Sequence, residues 1–261
     1  MVATYEKTAL NTGNRLRNRV HYDKDLIHGI IDETPILHVA FNPADPSTEP
    51  FPAVLPMLGC IGSFPAGGQT EEEEEATIYL HGYVSARLMK YPSSSEDVVG
   101  SPVTISASIL DGLVLSLTPF HNSCNYRSAV VFGYASIVTD ETEKLWALEL
   151  LTENIIKGRW EGSRVPPNKT EMTSTSVLKV RIQSASAKVR TGGPSEDRKD
   201  LKDGELRERT WTGVVPAWLH WGTPIPAGEN RAREVPGYIE DWVRGENEKG
   251  EEGAKRAVEK E

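Results

Sequence analysis

The stretch Asn125-Tyr126-Arg127-Ser128-Ala129-Val130-Val131-Phe132-Gly133 decides how this chain is read. It opens on amide, hydroxyl and guanidinium groups and runs on into β-branched and aromatic residues, the composition of a strand rather than a helix. The longest strand is expected over residues 128–138. Before it, Thr104-Ile105-Ser106-Ala107-Ser108-Ile109-Leu110-Asp111-Gly112-Leu113-Val114-Leu115 offers two apolar runs, 102–110 and 113–117. The Asp111-Gly112 pair between them suits a tight turn with positive φ at its central residues, so a hairpin is predicted there. Further upstream, a strand over 77–81 runs into His81-Gly82-Tyr83-Val84-Ser85-Ala86-Arg87-Leu88-Met89-Lys90, where a short helix is expected at 84–90.

The rest of the chain extends this pattern. From Asp23, the residues Leu26, Ile27, Ile30 and Ile31 share one helical face, and Pro35 stops the helix. Strands follow at 36–41 and 53–60, the second broken by Pro56, which marks an edge strand or a bulge. Residues 141–156 form the clearest helix, with Leu145, Leu148, Leu151 and Thr152 at helical spacing and Asp140 as N-cap. Asn168 with Glu171 three positions on signals a short capped helix, and 177–182 alternates as a strand. Residues 184–193 fit no standard element. About six strands with peripheral helices and no βαβ order predict a mainly β fold, a six-stranded antiparallel barrel.

Three segments are set apart by composition. Residues 1–20 are a polar N-terminal arm carrying Arg15, Arg17 and Arg19. Within the body at 21–226, an acidic insert at 62–76 holds five consecutive glutamates, Glu71 to Glu75, and reads as a disordered hairpin tip. The charged tail at 227–261 reads as disordered.

The chain of 261 residues has a formal net charge of -9, 38% hydrophobic residues and a mean hydropathy of -0.42. That charge argues against nucleic acid or an anionic membrane as the main partner. Cys60 and Cys124 make neither a disulfide framework nor a zinc site. No apolar run approaches the ~18 residues of a spanning helix. Residues 1–14 lack the apolar core of a leader peptide, so a cytoplasmic, reducing location is expected and the Asn168-Lys169-Thr170 sequon is expected to stay unmodified.

The candidate chemistry is cationic and hydrogen-bonding. Ser85, Arg87 and Lys90 at a strand-to-helix turn suit a phosphate monoester; the alternative is the solvated face of a short helix. Arg127 either makes an edge salt bridge or points into a cleft, where Asn125, Tyr126 and Ser128 would address a heterocycle edge or a phosphate. Lys188 and Arg190 form a third cationic site or a plain basic loop. His81 and His121 stand at a strand end and in a turn, either structural or ligand-facing. Trp211, Trp218 and Trp221 read first as packing anchors. Dinucleotide, nucleotide-triphosphate, serine-hydrolase and zinc-protease motifs are all missing, and no metal triad is visible.

As an ordered set these pieces, with Tyr22-Asp23 and Ile27, Gly158-Arg159-Trp160 and Ser186-Ala187-Lys188-Val189-Arg190-Thr191-Gly192, resemble the pyridoxamine 5′-phosphate oxidase-like FMN-binding split barrels. The resemblance spans about residues 18–226 and leans to the flavin-nucleotide-binding group that includes the nitroimidazole-resistance proteins. It implies a six-stranded split barrel that forms a homodimer with FMN at the subunit interface. It implies Ser85 and Arg87 as phosphate ligands, helped by Lys188 or Arg190, with Asn125, Arg127 and Ser128 toward the cofactor and His81 beside the flavin as the catalytic candidate. Two departures stand out. The phosphate turn reads Ser85-Ala86-Arg87 instead of serine-arginine-lysine, and the C-terminal substrate pattern of the oxidase is not found, which argues against pyridoxamine phosphate as substrate. The expected function is FMN-dependent redox chemistry on a small nitroaromatic or quinone-like molecule. The alternatives are a non-catalytic flavin carrier and a haem-binding split barrel with His81 or His121 as axial ligand.

Overall fold

The computed structural model describes residues 2–43, 50–65, 76–83 and 100–259. The glutamate run and the expected helix at 84–90, with Ser85, Arg87 and Lys90, lie outside the described residues. In chain order the elements are β1 (Val20–His21), α1 (Lys24–Glu33), β2 (Leu37–Phe41), β3 (Ala53–Met57), β4 (Gly59–Gly62), β5 (Thr77–Tyr83), β6 (Ser101–Leu115), β7 (Ser123–Ile137), α2 (Glu141–Ile155), α3 (Lys169–Ser174), β8 (Thr175–Arg190), α4 (Gly204–Arg209), β9 (Gly213–Pro216) and α5 (Gly237–Arg256).

The described strands form one nine-stranded sheet in the order β3-β2-β6-β7-β8-β5-β4, with β1 added to β8 and β9 added to β6. The mainly β antiparallel class expected from the sequence holds, but the six strands expected become nine. The run at 53–60 divides into β3 and β4, while β1 and β9 are two- and four-residue pairings too short to show alternation in a sequence. β3 lies at a sheet edge, where Pro56 sits opposite His38 and its missing N–H costs no second ladder.

The predicted hairpin at Asp111-Gly112 is not formed: β6 runs straight through it. Asp111 is there for its carboxylate, which binds Arg127. Gly112 is there for close approach, since a Cβ at this position would stand 2.8 Å from the Val215 carbonyl oxygen of β9. The actual β6–β7 turn follows Leu115. There the Ser116 N–H donates to Asn122 Oδ1 at 2.8 Å and the Ser116 hydroxyl donates to the His121 carbonyl at 2.9 Å.

The chain divides into two compact units, Met1–Ala107 with Ala129–Ala187, and Ser108–Ser128 with Lys188–Glu261. The first unit holds the main core. Ile27, Ile30 and Ile31 of α1 pack with Leu37 and Val39 of β2, Ile105 of β6, Val131 of β7 and Val180 of β8, all 2% exposed or less. The α1 start is held by Asp23, whose carboxylate accepts the Leu26 N–H at 2.8 Å. A smaller cluster of Cys60, Tyr79, Val138, Ala147, Leu151 and Val177 lies under α2. Asp140 caps α2 and Asn168 with Glu171 forms a capping box on α3, both as the sequence predicts.

β8 absorbs most of the stretch that fitted no element. Its inward positions there are Ser184, Ala185 and Ala187, each 2% exposed or less. Such small residues carry no hydrophobic signal, yet they let other chain segments approach closely. The N-terminal arm uses this: Asn11, 4% exposed, donates to the Ala185 carbonyl at 3.0 Å, and Thr8 Oγ1 lies 3.1 Å from Ser184 Oγ.

The second unit contains α5, in the segment expected to be a disordered tail. Val243, Asn247, Gly250 and Ala254, continued by Ala257 just past its end, recur three or four apart on its less exposed face, with Trp242 beside Val243. Trp242 packs on Trp221 with ring centroids 4.9 Å apart, and Asn247 exchanges two hydrogen bonds with the Trp221 backbone, at 2.7 and 2.9 Å. The abundant Glu and Lys side chains on the other face masked this stripe.

Candidate functional site

The expected site residues divide between the units. His81 belongs to the first, whereas Asn125, Arg127, Ser128, Lys188 and Arg190 belong to the second.

On β5, Ile78 and Leu80 point into the main core, so Tyr79 and His81 share the opposite face. Tyr79 donates its hydroxyl to Glu143 Oε1 at 2.9 Å, and Lys179 holds both Glu143 oxygens, at 3.0 and 2.8 Å. The Trp146 ring meets Tyr79 edge-on at 5.3 Å. This buried network fixes α2 over β5 and β8. Burial pushes the Tyr79 phenol well above its usual pKa, reinforced by the Glu143 carboxylate. His81 comes next on that face, opposite Val177, with its N–H donated to the Leu58 carbonyl at 3.0 Å. Its surface is exposed, yet desolvation by surrounding chain lowers the imidazole from 6.5, so near neutral pH the ring is uncharged. An uncharged imidazole can accept a proton or ligate a metal.

In the second unit the start of β7 meets the end of β8. Asn125 is fully buried; its amide donates to the Gly192 carbonyl at 3.1 Å and to the Ala257 carbonyl at 2.9 Å. Arg190, 5% exposed, donates to the Asn125 side-chain oxygen and, at 3.1 Å, to the Gly193 carbonyl. The Gly192 N–H also reaches the Ala257 carbonyl, at 2.8 Å. Asn125 therefore joins the Ala257 carbonyl at the end of α5 to the Gly192 carbonyl, and Arg190 holds Asn125 and the Gly193 carbonyl. Their hydrogen-bonding groups are spent on the chain itself and do not fit a phosphate cradle. Arg127 grips Asp111, itself 3% exposed, through Nε and Nη2 at 3.0–3.3 Å, realising the salt-bridge reading of that residue. The Ser128 hydroxyl donates to the Lys188 carbonyl at 3.2 Å, while the Lys188 side chain is half-buried. His121 lies 3.6 Å from Asp197. Among the described residues no group of His, Cys, Asp or Glu could hold a metal ion, and no helix is long and apolar enough to cross a membrane.

The first unit also carries a cleft of about 450 Å³ that the sequence reading did not single out, with Phe132, Tyr134, Thr104, Asn42, Pro52 and Gln183 in its wall. The signal was present in β7. There Ala129, Val131 and Ala135 are buried, so Val130, Phe132 and Tyr134 alternate onto the other face and stay half-buried. The Arg181 guanidinium stands 5.7 Å above the Tyr134 ring. Three aromatic rings, two amides and the hydroxyls of Thr104 and Tyr134, with no Asp, Glu, Lys, Arg or His among the described wall residues, suit a flat, uncharged ring system that stacks and hydrogen-bonds at its edge.

With this geometry the molecule is a mainly β protein of the split-barrel class. The family pattern described as pyridoxamine 5′-phosphate oxidase matches residues 23–189, and the chain belongs to that family. Among solved structures it is similar to the flavocytochrome Anf3 from Azotobacter vinelandii, at 27% identity and a TM-score of 0.72, covering 90% of this chain and 97% of that one. It is also similar to a FAD and heme binding protein from Mycobacterium smegmatis, at 23% identity and a TM-score of 0.68, covering 86% and 97%. A 5-nitroimidazole antibiotic resistance protein from Bacteroides thetaiotaomicron aligns at 21% identity and a TM-score of 0.46, covering 65% and 86%. No curated protein matches the chain.

Proposed function

We propose that this protein is a cytoplasmic, homodimeric flavin-binding protein, with FMN as its flavin, that carries out redox chemistry on a small nitroaromatic or quinone-like substrate. The observation that carries the flavin reading is the likeness to a flavocytochrome along nearly the full length of both chains, at 27% identity. Family membership over residues 23–189 supports it. The uncharged aromatic and amide wall of the first-unit cleft fits a planar heterocycle such as a flavin ring.

In this reading Ser85 and Arg87 hold the phosphate, and Ser128 and Lys188 lend a hydroxyl and a cation. Arg127 keeps its place by pairing with Asp111. Asn125 serves the cofactor only indirectly, by anchoring α5, and Arg190 by holding Asn125. The neutral His81 imidazole faces the reactive side and holds or passes one proton. A bound flavin supplies the electron transfer; the protein supplies binding, orientation and exclusion of water.

A second reading has one specific observation behind it: a flavocytochrome contains a cytochrome as well as a flavin. A haem would take a neutral imidazole as axial ligand, and His81 and His121 are the candidates.

One absorption spectrum, with chromatography of the released chromophore, tests both. Flavin bands and FMN at about one equivalent per chain are expected; FAD would correct the flavin, and a Soret band would establish haem. A colourless protein that also fails to take up added FMN, FAD or haem overturns the proposal. Arg87→Ala is expected to lose the flavin while keeping the fold, and unchanged occupancy would refute the phosphate assignment.

A further inference from the structure

We propose that the N-terminal arm completes the wall of the first-unit cleft, and that its Leu10 is the binding residue that covers the flat ring held there. Leu10 stands in the cleft wall with Pro52, Pro102 and Phe132, yet it is itself 63% exposed. A single exposed leucine is ordinary on a protein surface. What sets this one apart is the chain that carries it, which is fastened on both sides.

On one side, residues 3–5 pair with residues 22–24. The Tyr5 N–H donates to the Tyr22 carbonyl at 2.8 Å, the Lys24 N–H donates to the Ala3 carbonyl at 2.9 Å, and Thr4 bridges Asp23. The Tyr5 hydroxyl lies 2.7 Å from His28 Nε2 on α1, and the Lys24 ammonium stands 5.2 Å from the centre of the Tyr5 ring. On the other side the fastening is Asn11, a buried amide. Its side-chain oxygen accepts the Thr8 N–H at 2.7 Å, and its NH2 group donates to the Glu6 carbonyl at 2.8 Å and to the Ala185 carbonyl at 3.0 Å. The Thr12 hydroxyl closes the turn on the Thr8 carbonyl at 2.6 Å. Residues 8–12 are therefore one turn clamped to β8, with Leu10 inside it. The clamp holds Ala185, two positions from Gln183, which lines the same cleft.

Ordering a chain end costs conformational entropy, and most domains leave theirs loose. Here the ordering buries Asn11 but leaves most of the Leu10 side chain open to water at the cleft. A flat ring bound in the cleft removes that apolar surface from water, and an aliphatic side chain covers a ring without adding charge to a wall that has none among its described residues. The arm lies ahead of the residues matched by the family pattern, 23–189, so that pattern does not prescribe this part of the wall.

The inference rests on the reading of this cleft as the place of the flavin ring. Its test is the rate of FMN release. The full chain is loaded with FMN, passed through gel filtration and diluted, and the recovery of flavin fluorescence is followed. Leu10→Ala is expected to release FMN roughly three- to twentyfold faster, because the part of the leucine still open to water is what the ring would cover. Phe132→Ala, on the opposite part of the argument, reports whether the ring is in the cleft at all, and is also expected to release FMN faster. Gln183→Ala, at an exposed position of β8, takes its place if Phe132→Ala fails to fold. Wild-type release in Leu10→Ala, with faster release in the Phe132 or Gln183 variant, overturns the role of Leu10 and leaves the ring in the cleft. Wild-type release in the Phe132 or Gln183 variant overturns the cleft reading and this inference with it, as does a wild type that takes up no FMN.

Discussion

Replacing Asn125 by leucine should release the C-terminal helix. The side chain is fully buried and makes three contacts: two donated hydrogen bonds, to the Gly192 and Ala257 carbonyls, and one accepted from Arg190. Leucine keeps the approximate volume and removes every polar group. The Ala257 carbonyl retains the Gly192 N–H at 2.8 Å, so it is not orphaned. Arg190 retains the Gly193 carbonyl at 3.1 Å and the Gly192 carbonyl at 3.4 Å but loses its Asn125 acceptor in a place where it is only 5% exposed to water. Leaving a buried charged donor short of an acceptor costs about 1–3 kcal/mol, and the loss of the amide bonds adds to it, giving roughly 2–4 kcal/mol. Because the chain has two compact units, a single global unfolding energy is the wrong readout. Hydrogen exchange of the α5 amides reports the local opening directly. At about 1.4 kcal/mol per factor of ten, exchange in α5 should speed up by roughly 30- to 1000-fold, with the amides of β2 and α1 unchanged. Equal exchange in both proteins, or acceleration spread evenly over both units, would refute the anchor.

Two further outcomes are expected. Cys60 is 1% exposed, and burial, with the Asp32 carboxylate second, raises its thiol from 9.0 to about 12. A raised thiol pKa stabilises the fold below pH 9 and loses that contribution as pH rises from 9 toward 12, so alkaline melting temperatures should fall less steeply in Cys60→Ala, and a parallel decline would sink the assignment. Tyr79→Phe removes one donor from Glu143, whose oxygens both keep Lys179, so hydrogen exchange of the α2 amides should speed up roughly fivefold, a loss of about 1 kcal/mol; a loss above roughly 3 kcal/mol would mean that the hydroxyl carries the network.

Local chemistry in the sequence determined the capped starts of α1, α2 and α3, the edge position of the strand bearing Pro56, and the antiparallel class. Each depends on a side chain reaching its own backbone or on alternation over a few residues, interactions complete within one element. What the chain does at Asp111-Gly112, at 184–193 and beyond 227 was decided by tertiary structure. Asp111 is taken by Arg127, and Gly112 by the backbone of β9 more than a hundred positions on, so a turn signal became strand interior. The small residues of β8 acquire their meaning only when the N-terminal arm lies against them. The charged tail becomes α5 because Trp221 and Asn125, itself held by Arg190, receive it. Those same contacts turned two residues that looked suited to a phosphate into anchors. Hydrogen-bonding capacity is written in residue type, but which partner uses it depends on contacts between segments far apart in the chain.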